Sequence, residues 1–214
     1  MPATGEADVS RQNLSARCFW SPIGTAAGPC GVAWCYHPRA GKAGWPRLVR
    51  LWPAHRNHLA LARAVRREFP TAARGGAASG TNRPRWFQAV RRFLKDYYHH
   101  PGAPSKPPHP PPPGQWQTWL DWTRCTEFQR RVLSVTASIT PGKTLTYGQV
   151  ARLVGAPRAA RAVGAALARN PWPVLIGCHR VIGAAGEMRG FSAPGGMTAK
   201  QQMLARERQP PRAG

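Results

Sequence analysis

Acidic residues are scarce in this 214-residue chain, which has 8 Asp and Glu against 31 Lys and Arg. The formal net charge of +23 at pH 7 is far larger than solubility requires. A chain this basic is attracted to polyanions. Nucleic acid is therefore the first partner to consider, and the alternative is that Arg is merely frequent in a GC-rich coding sequence.

Long hydrophobic runs and paired cysteine motifs are also missing. No apolar run approaches the ~20 residues of a transmembrane helix, and the first 17 residues lack the apolar core of a secretory signal. The five cysteines are odd in number and irregularly spaced, which is not typical of a disulfide framework. We therefore expect a soluble protein in a reducing compartment, without a membrane partner. It would be cytoplasmic and nucleoid-associated in a bacterium, or nuclear in a eukaryote.

Proline and glycine, by contrast, are abundant, and their clustering indicates the domain organisation. Residues 101–114 read PGAPSKPPHPPPPG, which predicts an extended linker. It separates a domain of residues 18–100 from a domain of residues 115–208, with a disordered tail at 1–17 and a short tail at 209–214. The first domain shows strand patterns at 18–34 and 48–52 and helical patterns at 59–69 and 85–98, so we expect a small sheet with helices.

The second domain shows clear helix signals. Residues 115–122 are compatible with a strand. Thr126-x-x-Gln129 is a capping box that opens a helix to about residue 138, and Thr146-x-x-Gln149 opens another that stops at Gly155. A further helix at 159–168 completes the outline of a helix-turn-helix. The fold class is thus α/β (α+β), with a small N-terminal domain of a sheet and helices and a mainly helical C-terminal domain. The helix-turn-helix in the second domain is an element typical of DNA binding.

The helix at 159–168 is made mostly of small residues and has Arg158, Arg161 and Arg169 around it. Small side chains let a helix approach another surface closely, and taken alone this favours tight helix packing. Together with the excess positive charge, it favours approach to a DNA groove, with the arginines contacting phosphates.

The most informative stretch is NPWPVLIGCHRVI at residues 170–182, which delivers a Cys-His pair after a turn. A free cysteine in an apolar run is most often a small hydrophobic residue. Here, however, His179 and the cationic Arg180 adjoin Cys178, and electropositive surroundings favour a thiolate. Glu207, one of two acids after Glu127, is a candidate partner for the imidazole that would deprotonate the thiol.

The IGCHRVI sequence at 176–182 resembles the active-site motif of the O6-methylguanine-DNA methyltransferase family. Further matches follow the family's order: Phe128-x-x-x-Val132-Leu133, Thr146-Tyr-Gly-Gln149, Arg158-Ala-Ala-Arg161-Ala-Val-Gly164, Asn170-Pro-x-Pro173, Gly195-Gly196, and Lys200 with Glu207. The resemblance covers residues 126–208, whereas the first hundred residues resemble the family only loosely, chiefly through Ser21-Pro-Ile-Gly24.

The resemblance implies irreversible transfer, once per molecule, of an alkyl group from O6 of guanine in double-stranded DNA to Cys178. The acceptance of O4-alkylthymine is left open. It implies that His179, through a water and supported by Glu207, deprotonates the thiol, and that Asn170 braces the turn. Tyr147 would donate a proton to the guanine ring as the bond to its O6 breaks.

The resemblance also implies contacts with the lesion and with DNA. The residues of the substrate pocket would be Ser192, which bonds to O6, with Val181 and Phe191. The residues of the DNA interface would be Arg161, Tyr147, Gly148, Ala160, Arg158 and Gln129. Arg161 would fill the space that a flipped nucleotide leaves in the stack, because a damaged base is out of reach inside a duplex.

Some positions depart from the family pattern. Gly177 stands where the family usually has proline, Phe191 replaces a tyrosine, Arg189 is larger than usual, and Ala193-Pro194 looks like an insertion.

Cys30, Cys35 and His37, with Cys18 or His58, are available zinc ligands, but no CxxC pair supports a site. We therefore expect no metal, no cofactor and a monomer. The rival interpretations are a non-enzymatic helix-turn-helix protein that binds DNA or damage, and a Cys-His hydrolase.

Overall fold

The computed structural model describes residues 18–36, 46–74, 84–99, 116–188 and 190–208. The predicted tails at 1–17 and 209–214 and the predicted linker at 101–114 lie outside these residues, as do His37 and Arg189. The described residues form a mixed α/β fold with a small N-terminal sheet and a mainly helical C-terminal region, as the sequence predicts.

The N-terminal region is built on a four-stranded sheet in the order β3-β2-β1-β4. Strands β1 (Cys18–Ile23), β2 (Cys30–Tyr36) and β3 (Pro46–Trp52) pair antiparallel, and the short β4 (Ala73–Arg74) pairs parallel with β1. The first three strands confirm the predicted strands at 18–34 and 48–52, whereas β4 carries too few residues for a recognisable pattern.

A helix covers each face of this sheet, because the buried side chains of β2 and β3 point to both sides. Helix α1 (His58–Glu68), capped by the Asn57 side chain, packs with the cluster that contains Val49 and Trp52. Helix α2 (Phe87–His99) packs with the other cluster, which contains Trp34 and Leu48 and continues into the C-terminal core. Both helices were predicted from their apolar spacing.

The start of the C-terminal region corrects a prediction. The sequence pattern of residues 115–122 is compatible with a strand, but the structure has two 3₁₀ helices, Trp116–Trp119 and Trp122–Arg124, with one isolated bridge between Leu120 and Leu48. Asp121 caps the second of them by accepting from the Thr123 backbone N–H at 3.1 Å. Capping by a short polar side chain therefore competes successfully with the strand propensity of the aromatic residues.

The helix-turn-helix follows. Helix α3 (Glu127–Ala137) starts at the Thr126 cap. The short strand β5 (Leu145–Thr146) leads into α4 (Tyr147–Leu153), whose predicted capping box of Thr146 and Gln149 is present. Gly155, with φ of 75°, turns the chain toward α5 (Ala160–Ala168). The chain then forms the 3₁₀ helix Cys178–Arg180, strand β6 (Val181–Ile182), which pairs parallel with β5, and helix α6 (Gly196–Arg208).

The cysteines of the sheet also correct an expectation. The cysteine spacing does not predict a disulfide, yet Cys18 and Cys35, which face each other across β1 and β2, are joined by one. Sequence spacing alone could not show this pairing, because it depends on the strand register.

Among the described residues, no helix combines the length and the apolar character needed to cross a membrane.

Candidate active site

Asn170 organises the turn that leads to the candidate nucleophile. Its side-chain oxygen accepts from the Trp172 backbone N–H at 2.9 Å, and its side-chain nitrogen donates to the Ile176 carbonyl at 3.0 Å. Within the turn, Val174 has a φ of 75°, a conformation that is costly for a β-branched residue. The two Asn170 hydrogen bonds hold this strained turn, as predicted when Asn170 was assigned a bracing role.

The N-terminal region also holds this turn. The Leu51 backbone N–H donates to the Pro171 carbonyl at 2.9 Å, and the Arg50 guanidinium donates to the Asn170 carbonyl at 3.1 Å. The indole N–H of Trp172 donates to the Leu48 carbonyl at 2.9 Å. Strand β3 is therefore hydrogen-bonded to the loop that positions Cys178.

Cys178 is half-buried at the start of its 3₁₀ helix. Burial raises the pKa of the Cys178 thiol, whereas a hydrogen bond with the Asn170 side chain and the charge of Lys200 lower it. The net effect is an elevated pKa, so the thiol needs a base to become a nucleophile at neutral pH. The sequence interpretation gave the supporting charge to Arg180, but Lys200 supplies it, because the Arg180 side chain points to Glu207.

His179, Arg180 and Glu207 form a buried charge cluster behind the cysteine. The Nε2 atom of His179 lies 2.7 Å from Oε1 of Glu207, and both side chains are almost completely buried. Arg180 donates to both carboxylate oxygens at 2.9 Å and to the Ile139 carbonyl at 2.6 Å. This arrangement confirms the predicted contact between His179 and Glu207, and it adds Arg180 as the group that neutralises the buried carboxylate.

The protonation states in this cluster follow from burial and pairing. Burial alone would raise the pKa of Glu207, but hydrogen bonds from His179 and Arg180 outweigh it and bring the pKa to about 2. Burial lowers the pKa of His179, Arg180 and Lys200 act in the same direction, and Glu207 opposes them. The imidazole is therefore neutral at pH 7, donates from Nε2 to Glu207, and keeps Nδ1 as a base. Nδ1 is buried and has no hydrogen-bond partner among the described residues.

Gly177 makes room for this cluster. A Cβ atom at Gly177 would lie 2.8 Å from the Nε and Cζ atoms of Arg180, closer than real contacts allow. Because Arg180 is buried and tied to Glu207, it has little freedom to move aside. The glycine that departs from the family pattern thus fits the Arg180 position in this chain.

Cys178 opens on a cavity of about 680 Å³. Tyr147 from α4, Arg161 from α5 and Ser192 from the loop before α6 line it, together with Gly148, Ala160, Gly164, Leu167, Ala168, Gly183, Ala184, Glu187, Gly190 and Phe191. The Ser192 hydroxyl donates to the Ala168 carbonyl at 3.0 Å, which ties the loop to the end of α5. Burial, followed by the neighbouring Cys178, raises the pKa of Tyr147, so its hydroxyl stays protonated as a donor.

Two of the predicted contact residues are buried away from the cavity. Gln129 was assigned to the DNA interface, but it is buried, and its side-chain nitrogen donates to the carbonyls of Ala166 and Arg169 at 3.3 and 3.1 Å. It satisfies the otherwise unpaired carbonyls at the end of α5. Val181 was assigned to the substrate pocket, but its side chain is fully buried in the core, and its carbonyl accepts from Lys200 at 2.7 Å.

The two arginines predicted to contact DNA, Arg158 and Arg161, are both exposed. Arg158 is exposed in the turn before α5, outside the cavity lining, while Arg161 is exposed at the cavity edge.

Sequence reasoning missed Tyr97, whose hydroxyl lies 3.3 Å from Oε1 of Glu207. The signal was weak, because Tyr97 is one aromatic residue on the apolar face of a helix in the other region.

The candidate zinc ligands that the structure describes are not gathered at one site. Cys18 and Cys35 are bonded to each other, and Cys30 is buried with a pKa that burial raises to about 12. In the part of the chain that the structure describes, no three His, Cys, Asp or Glu side chains are grouped as a metal site would need.

Comparison with known proteins places these features in a family context. Residues 127–209 match the family model described as the DNA-binding domain of 6-O-methylguanine DNA methyltransferase. A methylated-DNA–protein-cysteine methyltransferase of Mycolicibacterium paratuberculosis is 49% identical over 85 residues, which are 40% of this chain and 50% of that protein. The chain thus spans about half the length of the curated relatives that it matches.

Solved structures extend the similarity over both regions. The crystal structure of Mycobacterium tuberculosis O6-methylguanine methyltransferase is 26% identical, with a TM-score of 0.59, over 92% of this chain and 96% of that chain. The Mycobacterium tuberculosis protein OGT in complex with DNA is 27% identical, with a TM-score of 0.54, over 90% and 95% of the two chains. These findings confirm the resemblance to the O6-methylguanine-DNA methyltransferase family that the motifs at residues 126–208 indicated.

Proposed function

We propose that this protein repairs DNA by transferring an alkyl group, typically methyl, from O6 of guanine to Cys178, irreversibly and once per molecule. The observation that carries the proposal is the joint position of Cys178 and Arg161 on one cavity, with the His179–Glu207 pair behind the cysteine. A nucleophile with its base, and an exposed arginine on a helix of small residues beside it, suits a reaction on nucleic acid.

The first chemical step is the activation of the thiol. The neutral His179 imidazole donates from Nε2 to Glu207, so Nδ1 is the atom that receives the Cys178 proton. Nδ1 is buried without a protein partner in the described structure, which suits a bridging water. The hydrogen bond from Asn170 and the Lys200 charge then stabilise the thiolate.

The second step is transfer. The Cys178 sulfur attacks the alkyl carbon, the bond from that carbon to O6 breaks, and guanine leaves with the electron pair. Tyr147 lines the same cavity and remains protonated, so its hydroxyl is placed to donate a proton to the ring as charge develops. Ser192, also in the lining, would bond to O6. The product at Cys178 is a stable thioether, so the free thiol is not regenerated and each molecule would react once.

Access to the lesion requires the nucleotide to leave the duplex, at a cost of ~a few kcal/mol. Helix α5 suits this task because its small residues Ala160 and Gly164 line the cavity and let DNA approach, while exposed Arg161 would occupy the vacated stack. Arg158 and Gly148 would contact the sugar-phosphate backbone of the DNA. O4-alkylthymine is a second substrate to test, and a monomer suffices for this chemistry because every residue named comes from one chain.

The test is intact-protein mass after incubation with a duplex that contains O6-methylguanine. The wild type should gain the mass of one methyl group, whereas Cys178→Ala should gain none and still bind DNA, because alanine offers no nucleophile. Binding without any mass gain in the wild type would favour the alternative, a damage-binding protein without activity. Repeated release of product would instead favour a hydrolase.

A further inference from the structure

The last turn of α2 carries a tyrosine from the N-terminal region into the charge cluster of the C-terminal region. Tyr97 is 7% exposed, and its ring packs against those of Phe93 and Tyr98. Its hydroxyl lies 3.3 Å from Oε1 of Glu207 and 3.4 Å from Nε2 of His179. Helix α2, to which the sequence analysis assigned no function, thus places a hydroxyl beside the hydrogen bond between His179 and Glu207.

The hydrogen bonds of Glu207 show what this hydroxyl does. Oε2 accepts from Arg180 Nε at 2.9 Å and from the Gly142 backbone N–H at 3.2 Å. Oε1 accepts from His179 at 2.7 Å, from Arg180 Nη2 at 2.9 Å, and from Tyr97. Tyr97 therefore shares the oxygen that holds the imidazole, and among these donors it is the one from the N-terminal region.

Tyr97 acts here only as a donor. Burial raises the pKa of its hydroxyl well above the ordinary value, and the Glu207 charge raises it further. A neutral phenol that donates to Oε1 stabilises the carboxylate and reduces the share of its charge that acts on His179.

We propose that Tyr97 is a positioning residue that keeps the Glu207 carboxylate and the His179 imidazole in their hydrogen-bonded arrangement. The N-terminal region would thereby complete the group of residues that takes the proton from Cys178. The inference rests on the proposed function. It goes beyond that function in assigning part of the active site to α2. Removal of the hydroxyl should loosen the imidazole and let Glu207 act more strongly on it, which raises the pKa of His179.

This pH effect depends on the charged and titratable groups around His179. They are Cys178 and Arg180 on its own segment, Lys200 and Glu207 on α6, and Tyr97 on α2. Of these, Glu207 favours the protonated imidazole, while Arg180 and Lys200 oppose it. Because Tyr97→Phe removes a donor to Glu207 and leaves Arg180 and Lys200 in place, the acid limb of the activity profile should move to higher pH.

The experiment compares Tyr97→Phe with Tyr98→Phe, which removes a hydroxyl from the next buried residue of the same helix. Single-turnover methyl transfer is measured against pH with a duplex substrate and with free O6-methylguanine base, well below the unfolding midpoint of each protein. Tyr97→Phe should slow transfer roughly three- to tenfold on both substrates. Its acid limb should shift to higher pH, and its DNA affinity should stay unchanged. Tyr98→Phe should stay within about twofold of the wild type.

A second readout separates this inference from the proposed function. The rate at which iodoacetamide modifies Cys178, corrected with Cys178→Ala, reports the relay even if no methyl transfer occurs. The same upward pH shift in Tyr97→Phe, absent in Tyr98→Phe, supports the positioning role whatever the substrate. Identical pH profiles for Tyr97→Phe and the wild type would overturn it, as would equal shifts in the two variants. Loss of methyl transfer in the wild type with a shifted iodoacetamide profile would overturn only the proposed function.

Discussion

The two regions of the molecule differ most in what they bury. In the described part of residues 18–99, the buried polar side chains are Ser21 and His55, and the rest of the interior is apolar or aromatic. In residues 116–208, the buried set includes an imidazole, a guanidinium, an ammonium and a carboxylate, which belong to His179, Arg180, Lys200 and Glu207. Burying charge is costly unless every group is paired.

This difference explains how the regions divide their tasks. Apolar packing stabilises the N-terminal sheet and its two helices. Strand β3 of this sheet also hydrogen-bonds to the turn that contains Asn170. The C-terminal region arranges charged groups whose protonation states suit proton transfer at Cys178. The contrast teaches that residues 116–208 bury a charged cluster within an apolar core, whereas the described part of residues 18–99 buries almost only apolar side chains. The following predictions test that contrast.

The largest effect is expected from the buried carboxylate. Glu207→Gln leaves Arg180 buried without its counter-charge, so unfolding in urea should show a loss of ~3–5 kcal/mol, together with loss of methyl transfer. The matched control is Glu68→Gln in α1, whose ion pair with Arg50 at 3.1 Å is about 30% exposed. That change should cost at most ~1 kcal/mol. Equal losses would remove the distinction between the regions.

Acid should destabilise the C-terminal cluster in two windows. The pKa of His179 is lowered from 6.5, so the unfolded chain takes up a proton first and stability starts to fall below pH 6.5. The pKa of Glu207 is lowered from 4.5 to about 2, so its contribution is lost as the pH falls between these values. The second window should remove about 3 kcal/mol. It should be missing in Glu207→Gln, and a second window that persists in this variant would contradict the assignment.

A moderate effect should separate the basic surfaces of the two regions. Arg161→Ala should slow repair of a fully paired duplex by about tenfold, and repair of the same lesion in a mismatch much less, because a mismatched base is easier to extrude. Arg66→Ala, an exposed position on α1, should leave both rates nearly unchanged. Single-turnover rates at saturating protein decide the matter. Equal fractional losses on the two duplexes would make Arg161 an ordinary phosphate contact.

The smallest effect is expected at the other free cysteines. Cys30 is buried in the sheet and burial raises its pKa to about 12, while burial also raises the pKa of Cys125. Cys30→Ala and Cys125→Ala should therefore leave the methyl-transfer rate within about twofold of the wild type. A larger loss in a variant that keeps its unfolding midpoint would contradict the expectation that Cys30 and Cys125 take no part in transfer.

The sequence predicted the helices with clear capping residues correctly, whereas the strand pattern at residues 115–122 was misleading. The capping residues Thr126 and Thr146 marked the starts of α3 and α4 because a side chain three residues from its partner decides the cap. Sequence-based prediction failed where contacts between distant parts of the chain determine the structure. The Cys18–Cys35 bond depends on strand register, and the burial of Gln129 depends on where α5 ends against α3.

The same limit applies to the candidate site. Cys178, His179 and Glu207 followed from a motif and from the resemblance, and the structure brings His179 and Glu207 within 2.7 Å. Tyr97 did not follow, because it lies 82 positions from His179 in the chain and its contact exists only once the two regions pack together. Lys200 was noted as part of a motif, but its influence on Cys178 requires the fold of α6.

The central claim is that Cys178 alone accepts the alkyl group. Its most direct test is peptide mapping of the protein after incubation with excess O6-methylguanine duplex, with the methyl equivalents counted over time. We predict one S-methylcysteine at Cys178, a plateau at one equivalent per molecule, and unmodified Cys30 and Cys125. Methyl groups on another residue, or product that accumulates beyond one equivalent, would contradict the account.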